Sequence, residues 1–171
     1  MALTYLTINE NELIPLASIK RIRVVSDDDR ESLNKLNEKI DADVFSARLD
    51  LAENKRCFAR ESVEELADQG VALIEIEPSV FAPKDNIVKV QRITAKDRDG
   101  FAERTGREMR ADFQSQVQMR SGKVLSTLSA EVILERIAGH AQSPGTTSRN
   151  PAVAAAEAIN AENGPFDALD I

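Results

Sequence analysis

The sequence reads as a diverged tandem repeat. Shifted by 68 positions, residues 19–66 fall on residues 87–134 with no gap needed over most of that length. The first stretch opens IKRIRVV and closes FSARLDLAENKRCFARESVEELADQG, and the second opens IVKVQRI and closes FQSQVQMRSGKVLSTLSAEVILERI. At this offset Ile8 meets Ile76, Pro15 meets Pro83, Ile19 meets Ile87, Asp29 meets Asp97 and Arg30 meets Arg98. Phe45 meets Phe113, Lys55 meets Lys123 and Leu66 meets Leu134. Apolar character is kept where identity is not: Leu6, Ile22, Leu33, Leu49 and Leu51 meet Ile74, Val90, Phe101, Val117 and Met119. Two unrelated hairpin-plus-helix segments can share a generic pattern. Here the apolar positions, a turn proline and the paired cap candidates Ser26 and Thr94 agree in one register, as duplication predicts.

Taken in order, residues 3–8 alternate apolar and polar and read as a strand. Residues 13–25 return as a second strand, with a kink expected near Pro15–Ser18, since a proline cannot donate to a ladder. Ser26 then stands before three aspartates. A serine N-cap and acids in the first turn suit the positive end of a helix dipole. Leu33, Leu36 and Ile40 recur at helical spacing, so a helix is expected over 27–40. Asp27, Asp28 and Asp29 with Asp41 and Asp43 lack the alternating spacing and the glycine of a calcium loop, so capping accounts for them better. Residues 44–51, with Phe45, Ala47, Leu49 and Leu51 inward, and residues 55–59 form a strand pair. Ser62 caps a short helix that ends near Gly70.

The second copy is expected to begin with a strand at 71–76 and a turn at 77–83, where Pro78 and Pro83 flank Val80 and Phe81. A strand at 87–93 follows. Residues 94–111 form a weaker helix, interrupted by Gly100 and Gly106. Strands at 112–119 and 124–128 meet at a turn on Ser121, Gly122 and Lys123, and a closing helix covers 130–138. Residues 139–150 read as a linker. Asn150 and Pro151 then start an Ala-rich helix, and residues 151–171 end in a tip with Phe166, Leu169 and Ile171 among two aspartates. This segment looks like a docking tail. It is similar to the apolar-ended tails of bacterial single-stranded-DNA-binding proteins, which recruit partners, though those are far more acidic.

A chain of 171 residues holds one domain with a real core or two small fused ones. It has no apolar run of about 18 residues, so no membrane span is expected. The opening MALTYLTINENEL is not a secretory signal. With one cysteine, Cys57, there is no internal disulfide, and a cytoplasmic site is expected. Residues 1–78 carry 10 basic and 17 acidic side chains, net −7, and residues 79–123 carry 10 basic and 6 acidic, net +4. An acidic first half beside a basic stretch invites head-to-tail self-association, or contact with an acidic partner through the second copy, where drift on solvated faces is the ordinary account of such a division.

No catalytic constellation emerges. His140, the only histidine, has no neighbouring histidine or cysteine in the sequence to share a metal or a proton with. Cys57, beside Phe58, reads as a small buried hydrophobe. Nucleotide loops, nucleophile elbows and zinc-protease motifs are missing from the sequence. No cofactor, metal or small-molecule substrate is therefore expected. The basic run of Arg92, Lys96, Arg98, Arg104, Arg107 and Arg110 can line a phosphate-binding face. Against it stand the interleaved acids and a shortage of aromatics for base stacking.

One copy, without its inserted helix, resembles the small FlbD-type bacterial domains linked to flagellar function. The matching residues are INENELIPLASIKRI and FSARLDLAENKRCFARESVEEL, including Glu61, Ser62 and Glu65. The resemblance implies a β-meander-plus-helix shape and no activity. The inserted helices, the duplication and the tail depart from that family.

The expected fold is α+β. Two copies of a four-strand antiparallel meander, each with an inserted and a closing helix, occupy residues 1–70 and 71–138. They form one continuous sheet or a pseudo-two-fold pair. The expected function is a non-catalytic assembly or interaction protein that forms a homo-oligomer or joins a larger particle of phage or secretion type. Its tail would dock on a neighbour. The alternative is a nucleic-acid-binding regulator that uses the second copy. A third class is an inhibitor that mimics an acidic ligand through the first copy.

Overall fold

The computed structural model describes residues 3–140, and within them strands and helices alternate in one order twice. The first half runs β1 (Tyr5–Ile8), β2 (Glu12–Pro15), a 3-10 turn (Leu16–Ser18), β3 (Ile19–Val24), α1 (Asp27–Leu36), β4 (Ala47–Leu51), β5 (Arg56–Ala59) and α2 (Val63–Ala67). The second runs β6 (Leu73–Glu77), β7 (Val80–Pro83), a 3-10 turn (Lys84–Asn86), β8 (Ile87–Arg92), α3 (Ala95–Thr105), β9 (Ser115–Met119), β10 (Gly122–Ser126) and α4 (Ala130–His140). The bounds of β2, β3 and β4, each advanced by 68, are the bounds of β7, β8 and β9. The fold is α+β with antiparallel, meander-like sheets.

Each half has five strands rather than four. The kink expected near Pro15 is a full 3-10 turn that ends one strand and starts another. Residues 80–83, expected to be a turn, are strand β7. The turn is only Pro78 and Ser79, with Ser79 in the left-handed region at φ 62° and its N–H bonded to the Glu75 carboxylate at 2.9 Å. Pro83 ends β7 as Pro15 ends β2, positions where no ladder donor is needed.

Both inserted helices start on a reciprocal capping box. Ser26 accepts from the Asp29 N–H while the Asp29 carboxylate accepts from the Ser26 N–H, and Thr94 and Asp97 repeat the arrangement. Gly106 closes α3 in the left-handed region, and Gly100 sits inside the helix. Helix α1 stops at Leu36, short of the expected residue 40, because Asn37 turns extended. Leu36 therefore leaves the expected apolar stripe and stands 82% exposed, while Leu33 is buried. Arg30 and Arg98 do equal work in the two halves. Arg30 donates to the carbonyls of Ala42 and Phe45, and Arg98 to those of Arg110 and Phe113. Each guanidinium ties the helix to the loop that leads into the next strand.

The core of the first half gathers Leu6, Ile8, Ile19, Ile22, Ala47, Leu49 and Leu66, all fully buried. Burying a side chain of Leu or Ile size stabilises by about 1.5–3 kcal/mol each. The β1–β2 hairpin is pinned to its own half by polar bonds. The Asn9 amide donates to the Phe58 carbonyl and accepts from the Arg60 N–H, each at 2.9 Å. The Gln69 side chain bonds both the N–H and the carbonyl of Thr7. In the second half the Ser126 hydroxyl reaches the Ile76 carbonyl in the corresponding place.

The expected boundary at residues 70 and 71 is crossed by the largest sheet, whose order is β5-β4-β3-β7-β6. Strands β8, β9 and β10 form a separate sheet in the order β10-β9-β8, and β1 pairs with β2 alone. A compact unit ends at Ile133. Helix α4 runs on through Gly139 and His140, both assigned to a linker by sequence. The rest of the expected linker, the Ala-rich helix and the tip with Phe166, Leu169 and Ile171 lie outside the described residues. Among the described residues no helix is long and apolar enough to cross a membrane.

Candidate assembly edges and the basic cleft

Inside the chain, one half lends a hairpin to the other. Strand β7 pairs antiparallel with β3, with Ile22 opposite Phe81 and Arg23 opposite Val80. The junction is clasped from the side by Asn86, which is 3% exposed and donates to the carbonyls of Leu16 and Ile19. Ser121 donates to the same Ile19 carbonyl at 3.0 Å. The β6–β7 hairpin is bonded to its own half and still offers its outer edge to the other.

The corresponding strands at the two ends of the unit have no such neighbour. Strand β8 corresponds to β3 and β2 to β7; among the described residues β8 pairs only with β9 and β2 only with β1. Exposure follows. Ile19 and Ile22 are fully buried, whereas Ile87 and Val90 are half-buried and Val88 is 63% exposed. Along β7 Phe81 is half-buried and Ala82 and Pro83 are buried, whereas at the same positions of β2 Leu13 is 58% exposed, Ile14 half-buried and Pro15 exposed. The same strand positions are covered in mid-chain and uncovered at the ends. Open edges of this kind are templates for further strand pairing.

Beside the β3–β7 junction lies a cleft of about 560 Å³, lined by Lys20, Arg21, Arg48, Lys55, Arg56, Arg110 and Lys123 against only two carboxylates, Asp50 and Glu77. Arg21, Arg48 and Asp50 in its wall belong to an ion network that continues to Asp29 and Arg23. Arg21 Nε meets Asp50 at 2.6 Å, Arg48 bridges Asp50 at 2.8 Å and Asp29 at 2.6 Å, and Arg23 meets Asp29 at 3.2 Å. Burial works against ionisation of Asp29 but is outweighed. The Ser26 N–H and hydroxyl, Arg48 and Arg23 together lower its pKa to about 2. Burial likewise opposes the charge of Arg48, and Asp29 and Asp50 overcome it and raise its pKa. Glu77 is shifted up by burial, with Arg21 and Arg110 opposing. The second half has no equal network. Glutamines 91 and 116 stand where the first half has Arg23 and Arg48, and they pair across β8 and β9.

The arginines and lysine singled out by sequence do not share one face. Arg110 lines the basic cleft, stacked on Phe113 at 4.7 Å and paired with Asp112. Lys96 and Arg104 line a second hollow beside Phe101 and Met109. Arg92 is held by Glu131, and it borders a third hollow with Arg98, whose guanidinium is already committed to backbone carbonyls. Arg107 is exposed and lines none of these three. Among the described residues no cluster of three or more His, Cys, Asp or Glu is placed to hold a metal ion. Cys57 is half-buried against the core, and burial, then Glu12 and Asp50, push its thiol up to about 11.

Sequence reasoning missed the β8 and β2 edges, Asn86 and the cleft cations Lys20, Arg21, Arg48, Lys55 and Arg56. Patterning marks which face of a strand is apolar, not which strand lies beside it. Comparison of the chain with protein-family models, with curated proteins and with solved structures finds no match.

Proposed function

We propose that this chain is a non-catalytic structural protein that joins an assembly by strand pairing at its open sheet edges, β8 and β2. The observation that carries this reading is the contrast in exposure. Ile22 and Phe81 lie opposite each other at the junction inside the chain, whereas their counterparts Val90 and Leu13 have, among the described residues, no strand on that outer side. Main-chain hydrogen bonds along such an edge supply affinity, and alternate side chains supply specificity. Exposed apolar residues flanking the edge, such as Val88 and Leu13, gain burial on pairing.

The test is light scattering after size exclusion over a wide range of protein concentration. Mass above the monomer that grows with concentration supports the reading. Strictly monomeric protein at every concentration rejects it.

A second reading rests on a separate observation, the seven cations against two carboxylates around the basic cleft. A polyanion such as single-stranded nucleic acid would seat there through phosphate contacts, with affinity falling as salt rises. Fluorescence anisotropy with a labelled oligonucleotide tests it. Binding lost on Arg56→Glu with Lys123→Glu supports it, and binding unchanged by that pair rejects it.

A further inference from the structure

We infer that the strand completing β8 is β2 of a second copy of this chain, so that copies join head to tail. This rests on the assembly reading above and names its partner. The junction inside the chain is the template. Advancing Ile22 and Arg23 by 68 gives Val90 and Gln91, and moving Phe81 and Val80 back by 68 gives Leu13 and Glu12. The register between copies is then Val90 opposite Leu13 and Gln91 opposite Glu12, antiparallel.

Four observations favour this occupant. First, the apolar pair is kept: isoleucine against phenylalanine inside the chain becomes valine against leucine between copies. Second, the β1–β2 hairpin is held on its own half by Asn9 and Gln69 while no described strand pairs with the outer edge of β2, the same posture in which β6–β7 serves β3. Third, the charges complement. Glu10 and Glu12 lie on the hairpin and Lys89 on β8, with Arg92 of the same strand paired with Glu131, within residues 1–78 of net −7 and a stretch 79–123 of net +4. Two β8 edges meeting each other would instead oppose like charges. Fourth, the contact uses two different surfaces. Each added copy leaves one β8 edge and one hairpin unpartnered, so growth continues as a fibre or closes as a ring.

The experiment uses the full chain with one end blocked at a time. Leu13→Arg blocks the hairpin end and Val88→Asp the β8 end. Both sites are more than half exposed, so the fold is kept. Each variant alone is expected to be monomeric under conditions where the unaltered chain is larger, and an equimolar mixture is expected to form a dimer and nothing larger. Register is read by mixing a Glu12→Cys chain with a Gln91→Cys chain, each with Cys57→Ala. Facing residues of an antiparallel pair lie within disulfide range, so oxidation should yield a cross-linked dimer only on mixing. Association abolished by Val88→Asp but untouched by Leu13→Arg would overturn the head-to-tail arrangement and leave edge assembly standing. A mixed dimer that does not cross-link would overturn the register. Monomers throughout would overturn both this inference and the assembly reading.

Discussion

Leu13 and Phe81 hold the same strand position 68 residues apart; each has a hairpin partner on one side, and among the described residues only Phe81 has a second strand on the other, with Ile22 directly opposite. Two substitutions of one kind should therefore behave differently. Phe81→Asp places a carboxylate in the internal junction and should cost about 2–4 kcal/mol of folding stability. Leu13→Asp, on an exposed edge, should stay within about 0.5 kcal/mol of the unaltered chain and yet lose self-association. Urea denaturation beside light scattering separates the two. Equal destabilisation by both would contradict the assignment of Leu13 to an unfilled edge.

Asn86 is the buried clasp between the halves. Asn86→Ala leaves the Leu16 and Ile19 carbonyls without that donor and should cost about 1–3 kcal/mol. Amide exchange should quicken in β3 and β7 before it does in β9 and β10. A uniform change across all strands would argue that Asn86 supports the general core rather than the junction.

Asp29 links stability to pH. Its pKa falls from 3.8 to about 2 on folding, so the folded state favours the ionised form. The contribution, about 2 kcal/mol, is fully present above the unfolded value and is lost as pH falls from about 4 through about 2. Asp29→Asn should remove this part of the acid slope and destabilise the protein at pH 7, since Arg48 and Arg23 lose an anion. Stability curves at pH 7, 4 and 2.5 measure it. An unchanged acid slope in the variant would refute the assignment.

Cys57 should be a slow thiol. With its pKa near 11, about one molecule in a thousand is thiolate at pH 8. Alkylation at pH 8 should run about 100-fold slower in the folded protein than after denaturation. Rapid labelling of the folded chain would show that Cys57 is more open than its place against the core implies.

Much of the strand and helix order was readable, because each signal is local. Ser26 and Thr94 announce their helices by chemistry confined to four residues, and alternation in residues 44–51 places Ala47 and Leu49 inward. The misreadings arise where tertiary partners decide. Two prolines made residues 77–83 look like a turn, yet a strand that pairs with β3 tolerates Pro83 at its end. Leu36 fits a helical stripe, but the helix ends there and the residue points nowhere apolar. Arg92, Lys96, Arg98, Arg104, Arg107 and Arg110 read as one basic run because sequence distance was the only ruler. Folding divides that run among several hollows and brings Lys20, Arg21, Arg48, Lys55 and Arg56 from the other half to Arg110.

The pairing of β3 with β7 also governs how the chain is made. Ile22 and Phe81 are 59 residues apart, so during synthesis the sheet of the first half waits for Val80–Pro83 before its edge is closed. Through that interval a nascent chain displays at β3 the same unpaired backbone that a finished chain displays at β8. Crowded ribosomes on one message would then favour exchange of hairpins between neighbouring nascent chains, and slow elongation beyond residue 70 would be the step most sensitive to it.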